Sequence, residues 1–259
     1  MKPSPPELRA ALHRGNPGDV AFYRRLCAGG ARVLELGAGY GRVAIPLARA
    51  GSEVVALDVD REMLALAEAT ATSEPSEVRA RLSYTVQDMT SFSLGRRFER
   101  VIIPYNGLCC LLEPGDLRAC LEHARDHLVA GGRLALDVYR ANDPDEATDQ
   151  ADEPEADEPG DDEGEPLVAI EHEGRIYLVY EESRWQPAPP RLDTRYRFVP
   201  EGGGEALEQL IRQRTLGASE LEALVTEADL SVVELAGGFH GEPFDDEAEQ
   251  LVLIAERKA

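Results

Sequence analysis

No apolar run in the 259 residues approaches the roughly 20 that a membrane-spanning helix needs. The opening Met1-Lys2-Pro3-Ser4-Pro5-Pro6 has no apolar stretch of the secretory kind. A cytoplasmic protein with no membrane partner is the expectation. The four cysteines (Cys27, Cys109, Cys110, Cys120) contain no C-x-x-C pair, which predicts reduced, buried thiols rather than a disulfide frame. Positive charge is scarce: 27 Lys and Arg stand against 49 Asp and Glu, a formal net charge of −22. Between residues 141 and 166 there are 13 acidic side chains and no basic one, so the remainder is only mildly acidic. Neither part presents the basic surface that nucleic acid demands, and a small molecule is the expected substrate.

What is present is organised around Val33-Leu34-Glu35-Leu36-Gly37-Ala38-Gly39-Tyr40-Gly41-Arg42. The apolar run predicts a strand buried on both faces. Three glycines follow, and Val43, Ala44, Leu47 and Ala48 at helical spacing mark a helix. Such a turn brings ligand close to the backbone and aims free amide donors at it. A dinucleotide fingerprint would need its third glycine at position 42; that position is Arg42, and the glycine comes one residue early. A nicotinamide-dependent oxidoreductase is therefore the weaker reading.

The rest of the chain repeats the strand–helix theme. Glu53 to Asp58 predicts a second parallel strand, with Asp60 capping the next helix. Asp58, about twenty residues past the glycine loop, can accept both ribose hydroxyls of a nucleoside. Leu82 to Val86 predicts the third strand, leading to Asp88-Met89, and Phe98 to Ile103 the fourth. Pro104 ends that strand because it has no amide hydrogen; Tyr105 and Asn106 then sit at the carboxyl edge, where ligands bind in such sheets. An amphipathic helix over Pro114 to Val129 should stop at Gly131-Gly132, and Arg133 to Tyr139 is the fifth strand. Cys120, His123 and His127 fall at i, i+3, i+7, but core and helix-dipole roles explain them better than metal; no metal site is expected.

The pattern then breaks. Residues 141–166 read as an acidic disordered linker, unable to bury enough surface to offset ordering entropy. Period-2 alternation at Ile176–Tyr180, Leu192–Phe198 and Leu207–Gln213 predicts an inserted antiparallel β-sheet over 167–214, serving as a substrate cover or a homodimer surface. Residues 215–259 return to the core with 1–140: a helix with a Ser219/Glu222 capping box, strands Leu230–Leu235 and Gln250–Ala255, and a loop carrying His240 between them. Upstream, residues 1–18 hold a possible short helix near Leu8 to His13, and Asp19 should cap a helix running to Leu26.

The G-x-G-x-G loop with Glu35 before it, Asp58, Asp88-Met89 and Ile103-Pro104-Tyr105-Asn106-Gly107-Leu108 resemble class I S-adenosylmethionine (SAM) dependent methyltransferases. The likeness is nearest to the bacterial small-molecule type, including glycine and amino-sugar N-methyltransferases. The resemblance implies an α/β, Rossmann-like fold with a seven-stranded, mostly parallel sheet covered by helices on both faces. It also implies SAM as cofactor, held by Tyr23, Glu35, Gly37, Ala38, Gly39, Arg42, Asp58, Val59, Met63, Asp88, Met89, Pro104 and Asn106. Tyr23, Tyr105 and His240 are the catalytic candidates. Where many relatives carry a histidine, four residues after the asparagine, this chain has Cys110. That favours direct in-line methylation of an amine, already nucleophilic when neutral, over an alcohol that wants a base. A non-catalytic SAM-binding scaffold is the alternative from another class.

Overall fold

The computed structural model describes residues 2–139, 164–245 and 248–258. After β1 (Lys2–Pro3), α1 (Pro6–Leu12) and α2 (Asp19–Leu26), the chain alternates strand and helix. It runs through β2 (Arg32–Leu36), α3 (Ala44–Arg49), β3 (Glu53–Asp58), α4 (Arg61–Ala71), α5 (Ser76–Arg79), β4 (Leu82–Val86) and β5 (Phe98–Ile103). A 3-10 turn at Gly107–Cys110 leads to α6 (Pro114–Asp126) and β6 (Leu128–Tyr139). The order β11-β12-β6-β5-β2-β3-β4 makes a seven-stranded sheet in which β12 (Gln250–Arg257) runs antiparallel to both its neighbours, β11 (Leu230–Ala236) and β6, and all other pairs are parallel.

Side-chain alternation divides the core in two. Leu34, Leu36, Val55, Leu57, Val101 and Ile103 face α6 and α7 (Ala218–Glu227), meeting Leu117, Leu121, Leu221 and Val225. Val33, Val54, Ala56 and Ile102 face the other way, onto Phe22, Tyr23, Val43, Ala44 and Leu47 of α2 and the segment around α3. Each fully buried Leu or Ile contributes about 2 kcal/mol, so both helical layers are held to the sheet and its carboxyl edge is fixed between them. Asp60 caps α4 as expected, accepting from the amides of Glu62 and Met63.

A second, five-stranded sheet has the order β1-β10-β9-β8-β7. Its antiparallel part comprises β7 (Val168–His172), β8 (Arg175–Pro187), β9 (Pro190–Pro200) and β10 (Leu207–Arg214). Glu173 and Gly174, both left-handed, form the tight turn between β7 and β8. Leu8 of α1 packs with Ile170, Val179 and Phe198 in a small separate core. The N-terminal lead thus belongs with this sheet: β1 pairs in parallel with β10, a strand of two residues that leaves no periodicity to read. The linker expected over 141–166 lies outside the described residues except for 164–166.

Helix ends depart from expectation in three places. Gly18, left-handed at φ +90°, occupies the cap position of α2, and Asp19 is its first helical residue. Gly217 precedes α7 with no side-chain capping bond, so the Ser219/Glu222 box does not form. Helix α6 stops at Asp126, and Gly131-Gly132 lie inside β6. His127 makes that stop: Nδ1–H donates to the His123 carbonyl at 2.7 Å while Nε2 accepts the Leu94 amide at 3.1 Å. Cys27, Cys109 and Cys120 are buried free thiols, whereas Cys110 is exposed. Among the described residues no helix is long and apolar enough to cross a membrane.

Candidate active site

Strand β2 delivers Glu35 into the interior, 2% exposed, before the chain turns at Gly37. Burial pushes its carboxyl up to about 8, against the pull of Arg42 and an amide bond from Ala44. Its Oε2 has no hydrogen-bond partner. An orphaned buried carboxylate oxygen is expensive and calls for a cationic or N–H donor. Gly37 is left-handed at φ +71°, and a Cβ built there would meet nothing within 4 Å, so the turn borders open space. Gly41 differs: at φ +78°, its Cβ would come within 3.2 Å of the Ala67 Cβ and 3.3 Å of Ile45. One glycine leaves room for a ligand, and the other lets the loop pack on α4.

At the end of β3, Asp58 accepts the Gly39 amide at 2.7 Å and the Asp60 amide at 2.8 Å. Burial raises its pKa, and those amides oppose the shift. A cleft beside it is lined by Gly37, Leu57, Asp58, Val59, Gln87, Asp88, Met89, Cys110 and Leu111. Five of these are among the residues expected at a cofactor. Asp88 is exposed, and bonds from the Thr90 amide and hydroxyl at 2.8 and 2.7 Å hold its pKa low. Ala38 donates to the Leu57 carbonyl at 3.0 Å, and Met63 stands 3.7 Å from where a Gly39 Cβ would be. Gln87 and Leu111 carried no sign of this position in the sequence, whereas Cys110 stands where many relatives carry a histidine.

Sequence reasoning missed a buried carboxylate on β6. Asp137, 1% exposed on β6, accepts the Tyr23 hydroxyl at 2.5 Å and the Tyr105 amide at 3.0 and 3.1 Å. Asn16 adds a bond of 3.5 Å. Burial raises the Asp137 carboxyl to about 6, although Tyr23 and the Tyr105 amide pull it down. Burial and the same carboxylate drive the Tyr23 hydroxyl well above its usual value. Tyr105 and Asn106 both adopt left-handed backbone, φ +55° and +57°, an arrangement that persists only when over-determined by its surroundings. Here the Asn106 amide bonds the Asp137 carbonyl at 3.1 Å and its Oδ1 accepts the Tyr139 amide at 2.5 Å. Pro104, buried, contributes its carbonyl to the Gly107 amide at 3.1 Å.

The structure thus brings Tyr23, Tyr105 and Asn106 together on Asp137. Arg42 is tied instead to Asp19 at 2.7 Å, with its guanidinium 5.4 Å over the Tyr105 ring. His240 is exposed and sits against Gly18, its ring 3.3 Å from where a Cβ there would be. Its backbone amide donates to Glu242.

A methyltransferase domain model matches residues 33–132. A Geobacillus sp. (strain WCH70) protein named as a methyltransferase is 24% identical over 236 residues, 88% of this chain and 85% of that protein. The CcbJ methyltransferase of Streptomyces caelestis superposes with a TM-score of 0.74 at 26% identity, covering 95% of this chain and 92% of that one. CalS10 of Micromonospora echinaspora, a SAM-bound amino pentose methyltransferase of calicheamicin biosynthesis, shares the fold at TM-score 0.66 and 22% identity, covering 97% of this chain and 96% of that one. With the glycine loop, the acidic strand tips and the seven-stranded sheet in place, the chain carries a methyltransferase domain over residues 33–132 in the fold of SAM-dependent methyltransferases.

Proposed function

We propose that the protein methylates an amine nitrogen of a small molecule and that the carboxyl-edge cleft holds SAM. The observation that carries the cofactor assignment is the orphaned Glu35 oxygen, on the residue two before the open turn at Gly37. A buried acceptor lacking a donor fits the α-ammonium of SAM, and the open glycine turn fits close backbone approach. Asp58 suits the ribose hydroxyls; Asp88, with the Met89 amide next to it, suits the adenine amino group. Gly37, Ala38, Gly39, Val59, Met63, Pro104 and Asn106 shape the walls, and Arg42 acts through Asp19 and the Tyr105 ring. Bound there, SAM supplies a methyl group on a sulfonium, open to in-line displacement by an acceptor lone pair.

The chain's own contribution is orientation and exclusion of water. Tyr23 and Tyr105, both fixed by Asp137, orient the acceptor. Nitrogen is favoured over oxygen because Cys110 lines the cleft where many relatives carry a histidine, and a thiol is largely protonated near neutral pH. A neutral amine needs no base. The amino pentose acceptor of the fold relative CalS10 is of this kind. His240 is the general-base candidate, and unchanged turnover in His240→Ala removes that role. Residues 1–140 and 215–259 form the cofactor-binding core in this reading, and the sheet over 167–214 covers the acceptor side, joined by β1.

Calorimetric titration with SAM, S-adenosylhomocysteine and NAD tests the assignment. Micromolar binding of either sulfur nucleoside, abolished by Asp58→Ala, is the expected result. Clean NAD binding with neither of them would sink it.

A further inference from the structure

Beyond Asp137, segments far apart in the chain meet between the two sheets. His13, just past α1, has its ring centre 6.4 Å from that of Tyr105 and 5.3 Å, edge-on, from that of Tyr196 on β9. Its Nε2 bonds the Gln209 side chain of β10 at 3.0 Å. Glu181 of β8 is the cross-strand partner of Tyr196, so the two side chains share a face. Tyr139, 46% exposed at the end of β6, reaches Asn16 with its hydroxyl at 2.8 Å. Burial governs the proton affinities here, lowering His13 and raising the three tyrosines. Glu181 adds an upward contribution to all four.

The junction therefore offers three phenol rings and an exposed carboxylate. Ser183 donates to Glu181 Oε1 at 3.1 Å and bonds Thr194 at 3.0 Å, which orients the carboxylate without covering it. The imidazole is shifted toward its neutral form, and the guanidinium over Tyr105 is already paired with Asp19. Electron-rich ring faces around a negative charge attract a cation and repel an anion.

We infer that Glu181 is the specificity-determining residue of the acceptor site. With Tyr105, Tyr139 and Tyr196 it selects a small protonated amine over a neutral molecule of the same shape. The inference rests on the amine methylation proposed above and adds a charge-reading group carried by the second sheet. The amine is recognised here as its cation; loss of its proton to water frees the lone pair that takes the methyl group, and the C–S bonding electrons return to sulfur.

Cyclohexylammonium and cyclohexanol, near-equal in size and different in charge, are the probes. They are titrated calorimetrically into the protein with and without saturating S-adenosylhomocysteine. The cation is expected to bind at least tenfold more tightly than the alcohol. Glu181→Gln should reduce that preference below threefold with the melting temperature and nucleoside affinity unchanged. Glu182→Gln, facing Arg184 and Arg195 on the opposite side of β8, should retain it. Equal binding of the two probes, no binding of the cation, or a preference that survives Glu181→Gln overturns the inference. Failure of S-adenosylhomocysteine to bind overturns the cofactor reading instead, and the titration without it still reads the junction.

Discussion

The Tyr23 hydroxyl donates to Asp137 at 2.5 Å, joining helix α2 to the carboxyl end of β6 across 114 residues. The same carboxylate takes the amide of left-handed Tyr105. One buried group thus fixes both helix α2 and the Tyr105–Asn106 turn.

Tyr23→Phe removes the hydroxyl that donates to Asp137 and keeps the ring packing. A hydrogen bond to a buried charged group is worth roughly 1.5–3 kcal/mol, so urea unfolding should show a loss of about 2 kcal/mol. Asp137→Ala removes the acceptor for Tyr23 and Tyr105 together and should lose more, with weaker S-adenosylhomocysteine binding because the Tyr105–Asn106 turn relaxes. A Tyr23→Phe variant as stable as the wild type would show that the contact carries no net energy.

Glu35 sets a pH dependence with a definite sign. Its folded pKa, about 8, lies above the ordinary 4.5, so between these values the folded state holds more protons than the unfolded chain. Stability must then fall as pH rises through that window and level off above it. Carboxylates held low by partners, such as Asp60 beside Arg9, act in the opposite sense, but their effect is complete by about pH 5. Glu35→Gln removes the fall, so the variant should gain on the wild type between pH 5 and pH 8 in urea titrations. Binding of a SAM ammonium against Glu35 near pH 7 should also release a proton, read as a binding enthalpy that varies with the buffer's ionisation heat. A buffer-independent enthalpy would count against that contact.

The two glycines should fail differently. Gly41→Ala puts a Cβ into Ala67 and Ile45 at a left-handed position, which should destabilise the fold by about 1–3 kcal/mol. Gly37→Ala incurs the backbone strain without a clash, since its Cβ meets nothing. Its larger effect should be on S-adenosylhomocysteine affinity, at least tenfold, because the added methyl enters space left for the ligand. Thermal melts paired with calorimetry on both variants separate the outcomes. Equal affinity losses would mean that the open space at Gly37 does not face the cofactor.

The first sheet was legible because β2, β3 and β5 are short apolar runs between turn residues, and Asp58 and Asp88 stand at strand ends by simple counting. Asp137 was not. It lies between Leu136 and Val138 in a strand-like run, and what makes it special is a partner in α2 that no local pattern announces. His13 was obscured by a lead rich in Pro and Gly, and Glu181 by a polar stretch in which Glu182 looks its equal; the pleat separates them by face. The capping box at Ser219 failed because Gly217 had already turned the chain. Local propensity places elements, and it is silent on which buried polar groups pair between them.

Arg42 and Asp19 form the remaining test of how the N-terminal helix is held. Their side chains are 13% and 3% exposed and 2.7 Å apart, and Asp19 also accepts the Asn16 amide at 3.1 Å. Breaking a buried pair from one side leaves an uncompensated charge, an effect of about 3–5 kcal/mol. Arg42→Ala should therefore destabilise strongly and loosen α2, while Arg42→Ala combined with Asp19→Asn should recover part of the loss. Lys is a poor substitute, since a point charge lacks the planar fork that spans Asp19 and the Tyr105 ring. A double-mutant cycle in urea gives the coupling energy directly. If the double variant were no more stable than Arg42→Ala alone, the pairing would not be what anchors the helix, and the Tyr23–Asp137 bond would have to hold α2 unaided.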